Sequence, residues 1–102
     1  MNSLIAEKLP EVEKICRRRR VQRIELFGSA TTAQFDGVTS DLDFLVTFEE
    51  LGPEQYADAY FGLKEDLEAV FRRPVDLVVD SAIQNPYFRQ AVESTRTLVY
   101  GA

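Results

Sequence analysis

Apolar residues recur along this chain with two periods, and the switches between them predict the order of its elements. Leu9, Val12 and Cys16 fall at helical spacing, with Ile5 one turn earlier. Pro10 suits the first turn of a helix better than its interior. The main N-terminal helix is therefore predicted from Pro10 to about Arg19, and Ile5 belongs to a short helix before it. Residues 21–27 read as a strand that stops at Gly28. Residues 30–40 are small and polar, with Asp36-Gly37 as a turn signal, and predict a short helix followed by a loop. From 41 to 48 the period becomes two. Leu42, Phe44, Val46 and Phe48 share one face, and Asp41, Asp43, Leu45 and Thr47 share the other.

Gly52-Pro53 opens the next helix, in which Tyr56, Tyr60, Leu63, Leu67 and Val70 form an apolar stripe. Arg72-Arg73-Pro74 ends it. Val75-Asp76-Leu77-Val78-Val79 is a third strand, apolar enough to be expected in the centre of the sheet. Asn85-Pro86 supplies an N-cap and first-turn pair for a short helix through about Glu93. Leu98-Val99-Tyr100 is a tail or an edge strand. The order α-β-α-β-α-β-α predicts an α/β (α+β) chain with a small mixed sheet flanked by helices. At 102 residues, positions 1–102 fit one domain.

Composition narrows the chemistry. The chain is 45% apolar and 11% aromatic, enough for a real core. It has no histidine, which removes a Ser-His-Asp triad, an imidazole base and His-ligated zinc. Its single cysteine, Cys16, excludes an intrachain disulfide and a cysteine metal cluster, and reads as a small core residue. The groups left are carboxylates, hydroxyls, Lys and Arg, and carboxylates select hard divalent cations. A net charge of −5 argues against general nucleic-acid binding. Arg17 to Arg20 is a local exception, read as a solvated helix end. No signal peptide is visible, and no apolar stretch approaches the roughly 20 residues that span a bilayer, so a soluble cytoplasmic protein is expected.

Two pairs carry the candidate chemistry. Gly28-Ser29 follows a strand, where glycine lets the backbone approach a phosphate and serine offers a hydroxyl. Asp41 and Asp43 head an apolar strand, a place where aspartate is disfavoured, and two like charges so close repel unless a cation lies between them. Asp76 is a third carboxylate inside an apolar strand, costly unless paired with Arg72 or Arg73 or bound to a metal; the metal reading ranks first. Asp80 reads as a turn or cap residue. Tyr56 and Tyr60 read as core, whereas Tyr87 and Tyr100 could face a partner.

A strand ending in Leu-Phe-Gly-Ser, a small polar loop, Ser-Asp-x-Asp heading an apolar strand and a later strand aspartate together resemble the nucleotidyltransferase superfamily of polymerase-beta-like fold. The short length resembles its minimal branch, the MNT proteins. The resemblance implies that Gly28 and Ser29 grip the nucleotide phosphates and that Asp41 and Asp43 are paired metal ligands. It makes Asp76 the third carboxylate, which completes the metal site and serves as base toward the incoming hydroxyl. It implies two Mg²⁺ ions, ATP as substrate and a HEPN-type toxin as partner, with AMP passed to a tyrosine of that toxin and the chain acting as antitoxin in a homo- or hetero-oligomer. Many members carry arginines after Gly-Ser, where this chain has Ala30-Thr31-Thr32-Ala33. That difference motivates one alternative, a non-catalytic module that neutralises its partner by occlusion; a transferase acting on a small molecule such as an aminoglycoside is another.

Overall fold

The computed structural model describes residues 2–31 and 41–101. Its elements follow the predicted order: α1 (Ser3–Glu7), α2 (Leu9–Arg18), β1 (Val21–Phe27), a 3₁₀ turn (Gly28–Thr31), β2 (Leu42–Phe48), α3 (Pro53–Phe71), β3 (Val75–Val79), a 3₁₀ turn (Asp80–Ala82), α4 (Pro86–Thr95) and β4 (Thr97–Tyr100). The first 3₁₀ turn falls where the start of the predicted short helix is expected. The loop at Asp36-Gly37 lies outside the described residues.

Caps and proline placement explain the helix limits. Pro10 sits in the first turn of α2, and Arg17 and Arg18 lie in its last turn, where cations suit the exposed carbonyls. Asn85 caps α4, its Oδ1 accepting from the amides of Tyr87 and Phe88 at 2.9 and 3.1 Å. Arg72 closes α3 in the left-handed conformation, and Pro74 prevents the helix from resuming.

The four strands form one mixed sheet in the order β3-β2-β1-β4. β1 pairs antiparallel with β2 and β4, and β2 pairs parallel with β3. The expectation that β3 is central is therefore wrong; it is an edge strand. It looks central in sequence because both of its faces are partly covered. Val75 and Leu77 enter the main core, and Val78 packs on the opposite side against the cluster of Phe27, Leu45 and Val92. The Tyr60 hydroxyl donates to the Leu77 carbonyl at 2.7 Å, tying α3 to this strand.

The alternation in β2 holds. Leu42, Phe44, Val46 and Phe48 join the main core under α2 and α3, and Leu45 points to the other face. In β1 a bulge between Val21 and Arg23 shifts the register, so Val21, Ile24 and Leu26 all reach the same core despite their odd spacing. The buried stripe of α3 is Ala59, Leu63, Leu67 and Phe71, rotated slightly from the predicted one. Tyr56 lies at its margin, 37% exposed, with its ring against Phe48. Cys16 is fully buried, and burial pushes its thiol up to about 12. Arg18 and Arg19 both donate to Asp66 on α3, at 3.0 and 2.8 Å, so the basic run also fastens two helices together.

Candidate functional site

The sheet register builds the site. Phe27 at the end of β1 pairs with Asp43 near the start of β2, and Asp43 pairs with Asp76 on β3. Asp43 on β2, Asp76 on β3 and Gly28, directly after β1, therefore sit at one end of the sheet. By alternation both aspartates lie on the face opposite the main core. That face is only partly covered, by α4 through Val92.

Gly28 needs to be glycine. Its φ is +75°, and a Cβ added there would lie 2.6 Å from Asp43 Oδ2. The turn it opens is held on several sides. The Gly28 amide donates to Thr95 Oγ1 at 3.0 Å, and Thr31 Oγ1 donates to the Gly28 carbonyl at 2.8 Å. Asn2 Nδ2 donates to the Ala30 carbonyl at 3.1 Å. Ser29, half-buried, rides on this pinned turn.

The three carboxylates differ in exposure. Asp41 precedes β2 and is exposed, whereas Asp43 is half-buried and Asp76, on the edge strand, is exposed. The close pair is Asp43 with Asp76. Burial, then the charge of Asp76, a hydrogen bond between the two carboxyls and the charge of Asp41 push the Asp43 carboxyl up to about 6. Half-buried and beside another carboxylate, Asp43 suits a divalent cation. Asp43 and Asp76 offer hard oxygen donors for one, and Asp41 is two residues away. Among the described residues no three His, Cys, Asp or Glu groups form a ready-made metal cage.

Next to this acidic end lies a charged network that sequence reading missed. Glu25, in central strand β1, is 4% exposed. Arg96, just after α4, donates to both of its oxygens at 2.8 and 2.6 Å. Arg23 Nε is 3.0 Å from Glu25, close enough for an ion pair but not aligned as a hydrogen bond. Arg96 also pairs with Glu93 and reaches Asp80 at 3.3 Å. Asp80 is held by Arg89 at 2.7 Å, so it does more than cap a turn. The Arg96 hydrogen bonds hold Glu25 below the usual carboxylate range, overcoming its burial. Burial is the largest single influence on Asp80 and works against its ionisation, but the hydrogen bonds and charges of Arg89 and Arg96 together outweigh it and lower its pKa. A glutamate inside an apolar strand was the available signal, the same one that singled out Asp76.

Tyr87 is 81% exposed beside this region, while Phe88 stacks edge-on against Phe27 with ring centroids 6.0 Å apart. Tyr100 packs partly buried against the main core. Among the described residues no helix is long and apolar enough to cross a membrane.

Comparison with known proteins shows what the chain as a whole is similar to. The family model described as a nucleotidyltransferase domain matches residues 9–99. A protein of Methanocaldococcus jannaschii, named provisionally as a protein adenylyltransferase, is 36% identical over 93 residues, 89% of this chain and 90% of its own length. A solved structure named provisionally as a minimal nucleotidyltransferase is 28% identical, with a TM-score of 0.74 and 95% of each chain covered. A chain in the crystal structure of a toxin–antitoxin with AMP-PNP is 24% identical, with a TM-score of 0.67, covering 92% of this chain and 73% of its own. A chain from the complex of tri-AMPylated Shewanella oneidensis HEPN toxin with MNT antitoxin is 22% identical, with a TM-score of 0.65, covering 96% and 73%. These last two share the fold.

Proposed function

This chain belongs to the nucleotidyltransferase domain family, and from that premise we propose that it transfers AMP from ATP to a hydroxyl, a tyrosine's, on a HEPN-type toxin and so acts as its antitoxin in the cytoplasm. The observation that carries the reading is the row of Gly28, Asp43 and Asp76 at one end of β1, β2 and β3, with a left-handed glycine turn against a carboxylate pair.

In this reading the Ser29 hydroxyl and the amides that follow it bind the triphosphate, and Gly28 gives the backbone room to pass Asp43. Asp41, Asp43 and Asp76 would hold two Mg²⁺ ions, which when bound polarise the α-phosphate and lower the pKa of the acceptor hydroxyl. Asp76, exposed at the sheet edge, is reachable by the acceptor and takes its proton. The acceptor oxygen then bonds to the α-phosphorus, and pyrophosphate leaves. The relative named as an adenylyltransferase and the AMPylated complex support the substrate and the partner.

The test is incubation with α-labelled ATP, Mg²⁺ and the product of the adjacent gene. Label should appear on that product, and Asp41→Asn or Asp43→Asn should abolish it while the fold is kept. Full transfer by the double Asn variant would sink the proposal. Neutralisation of the partner by the double variant, without label from either protein, would establish occlusion instead.

A further inference from the structure

We infer that Thr95 is a positioning residue for the Gly28-Ser29 turn and, through it, for nucleotide binding; the second half rests on the phosphate-grip reading above. The argument starts from sheet register. Glu25 pairs with Leu98 and Leu26 with Thr97 across β1 and β4. Continued in that register, Gly28 stands opposite Thr95. There the partner chain is no longer a strand, because Thr95 is the last residue of α4. The ladder has run out, and the Gly28 amide would otherwise lack a backbone acceptor.

The Thr95 side chain fills that place. Its Oγ1 accepts from the Gly28 amide at 3.0 Å. The same hydroxyl donates to the Ala91 carbonyl at 3.3 Å, so its proton is committed to the helix and a lone pair remains for Gly28. The bond fixes the Gly28 peptide plane in a residue with φ of +75°, a conformation with many alternatives for glycine. A rotation of that peptide would move Ser29 and change the close approach of the Gly28 backbone to Asp43. One consequence is specific: the Gly28 N–H is spent on Thr95, so phosphate recognition falls to the Ser29 hydroxyl and to amides after it.

Ser94 provides an internal control. Its Oγ donates to the same Ala91 carbonyl, at 2.8 Å, a bond that stays within the helix. The experiment compares wild type with Thr95→Val, Thr95→Ser and Ser94→Ala. AMP-PNP binding in Mg²⁺ is measured by calorimetry, and Gly28 amide exchange by NMR in the nucleotide-free protein. Thr95→Val should weaken AMP-PNP binding about fivefold or more and speed Gly28 exchange, since an unpinned turn must be reordered on binding. Thr95→Ser should restore both, and Ser94→Ala should match wild type. Binding by Thr95→Val within about twofold of wild type, or equal weakening in Ser94→Ala, would overturn the inference. If wild type binds no AMP-PNP, the nucleotide reading falls and takes the binding half of the inference with it. Unchanged Gly28 exchange in Thr95→Val would then remove the positioning half as well.

Discussion

Replacing Arg96 by methionine should remove the cation that makes a charge tolerable inside the sheet. Glu25 is 4% exposed, and Arg96 meets both of its oxygens. Asp80 keeps Arg89 in the variant, whereas Glu25 keeps only Arg23, which is misaligned and has a side chain 40% exposed. Breaking a buried pair from one side costs about 3–5 kcal/mol, and we place this variant near the lower bound because Arg23 remains. Against a typical domain stability of about 5–15 kcal/mol, this is a large fraction. It corresponds to a fall in Tm of roughly 10–20 °C. The pH dependence has a definite sign. In wild type the Glu25 pKa is depressed by Arg96, so its stabilisation is present above the ordinary glutamate range and is lost as pH falls through its folded value. In Arg96→Met the carboxyl is buried without that partner and its pKa rises. The deficit relative to wild type should therefore be largest at neutral pH and shrink on acidification. Urea denaturation followed by circular dichroism at pH 7.5 and pH 5 measures this. The double variant Glu25→Leu with Arg96→Met removes both charges and should recover most of the loss. A single variant within about 1 kcal/mol of wild type at pH 7.5 would refute the reasoning. So would a double variant no more stable than the single one.

Two further substitutions bear on the acidic end. Asp43→Asn removes a carboxyl raised to about 6, so above that pH the metal-free variant should be more stable than wild type, by about 1 kcal/mol after solvent screening. The difference should vanish below the ordinary aspartate range, where both states are protonated, and thermal melts in EDTA at pH 8 and pH 3 would show it. Gly28→Ala forces a side chain into a left-handed residue 2.6 Å from Asp43 Oδ2, and should cost about 1–2 kcal/mol in a denaturant melt while weakening AMP-PNP binding. Unchanged affinity would show that the Asp43 passage is not used.

Periodicity carried much of the fold because it records which face of an element is buried. It sets β1 at its observed limits and gives the core face of β2, and Asn85-Pro86 marks the cap of α4. What could not be read is who pairs with whom. The apolar run of β3 looks central because packing on both faces, rather than pairing on both edges, makes a strand apolar. The α3 stripe was misjudged at its ends, where Phe71 is buried and Tyr56 is at the margin. The sequence made Asp41 and Asp43 a pair by proximity. The coupling of Asp43 to Asp76 depends on the register of a parallel pairing and has no local signature. Glu25 could have been flagged, but its partner Arg96 lies in a distant segment brought near by α4.

The pairing of Asp43 with Asp76 also ties the site to the folding of the whole chain. The two residues lie on strands separated in sequence by all of α3, and their meeting requires a parallel crossover to be complete. No local fragment of the chain contains the acidic pair. A cation or nucleotide bound across it would join edge strand β3 to β2 and would disfavour every opening in which that edge detaches. The binding energy would then be felt as mechanical cohesion at one border of the sheet, and hydrogen exchange in β3 would slow on loading before that of β1 changed.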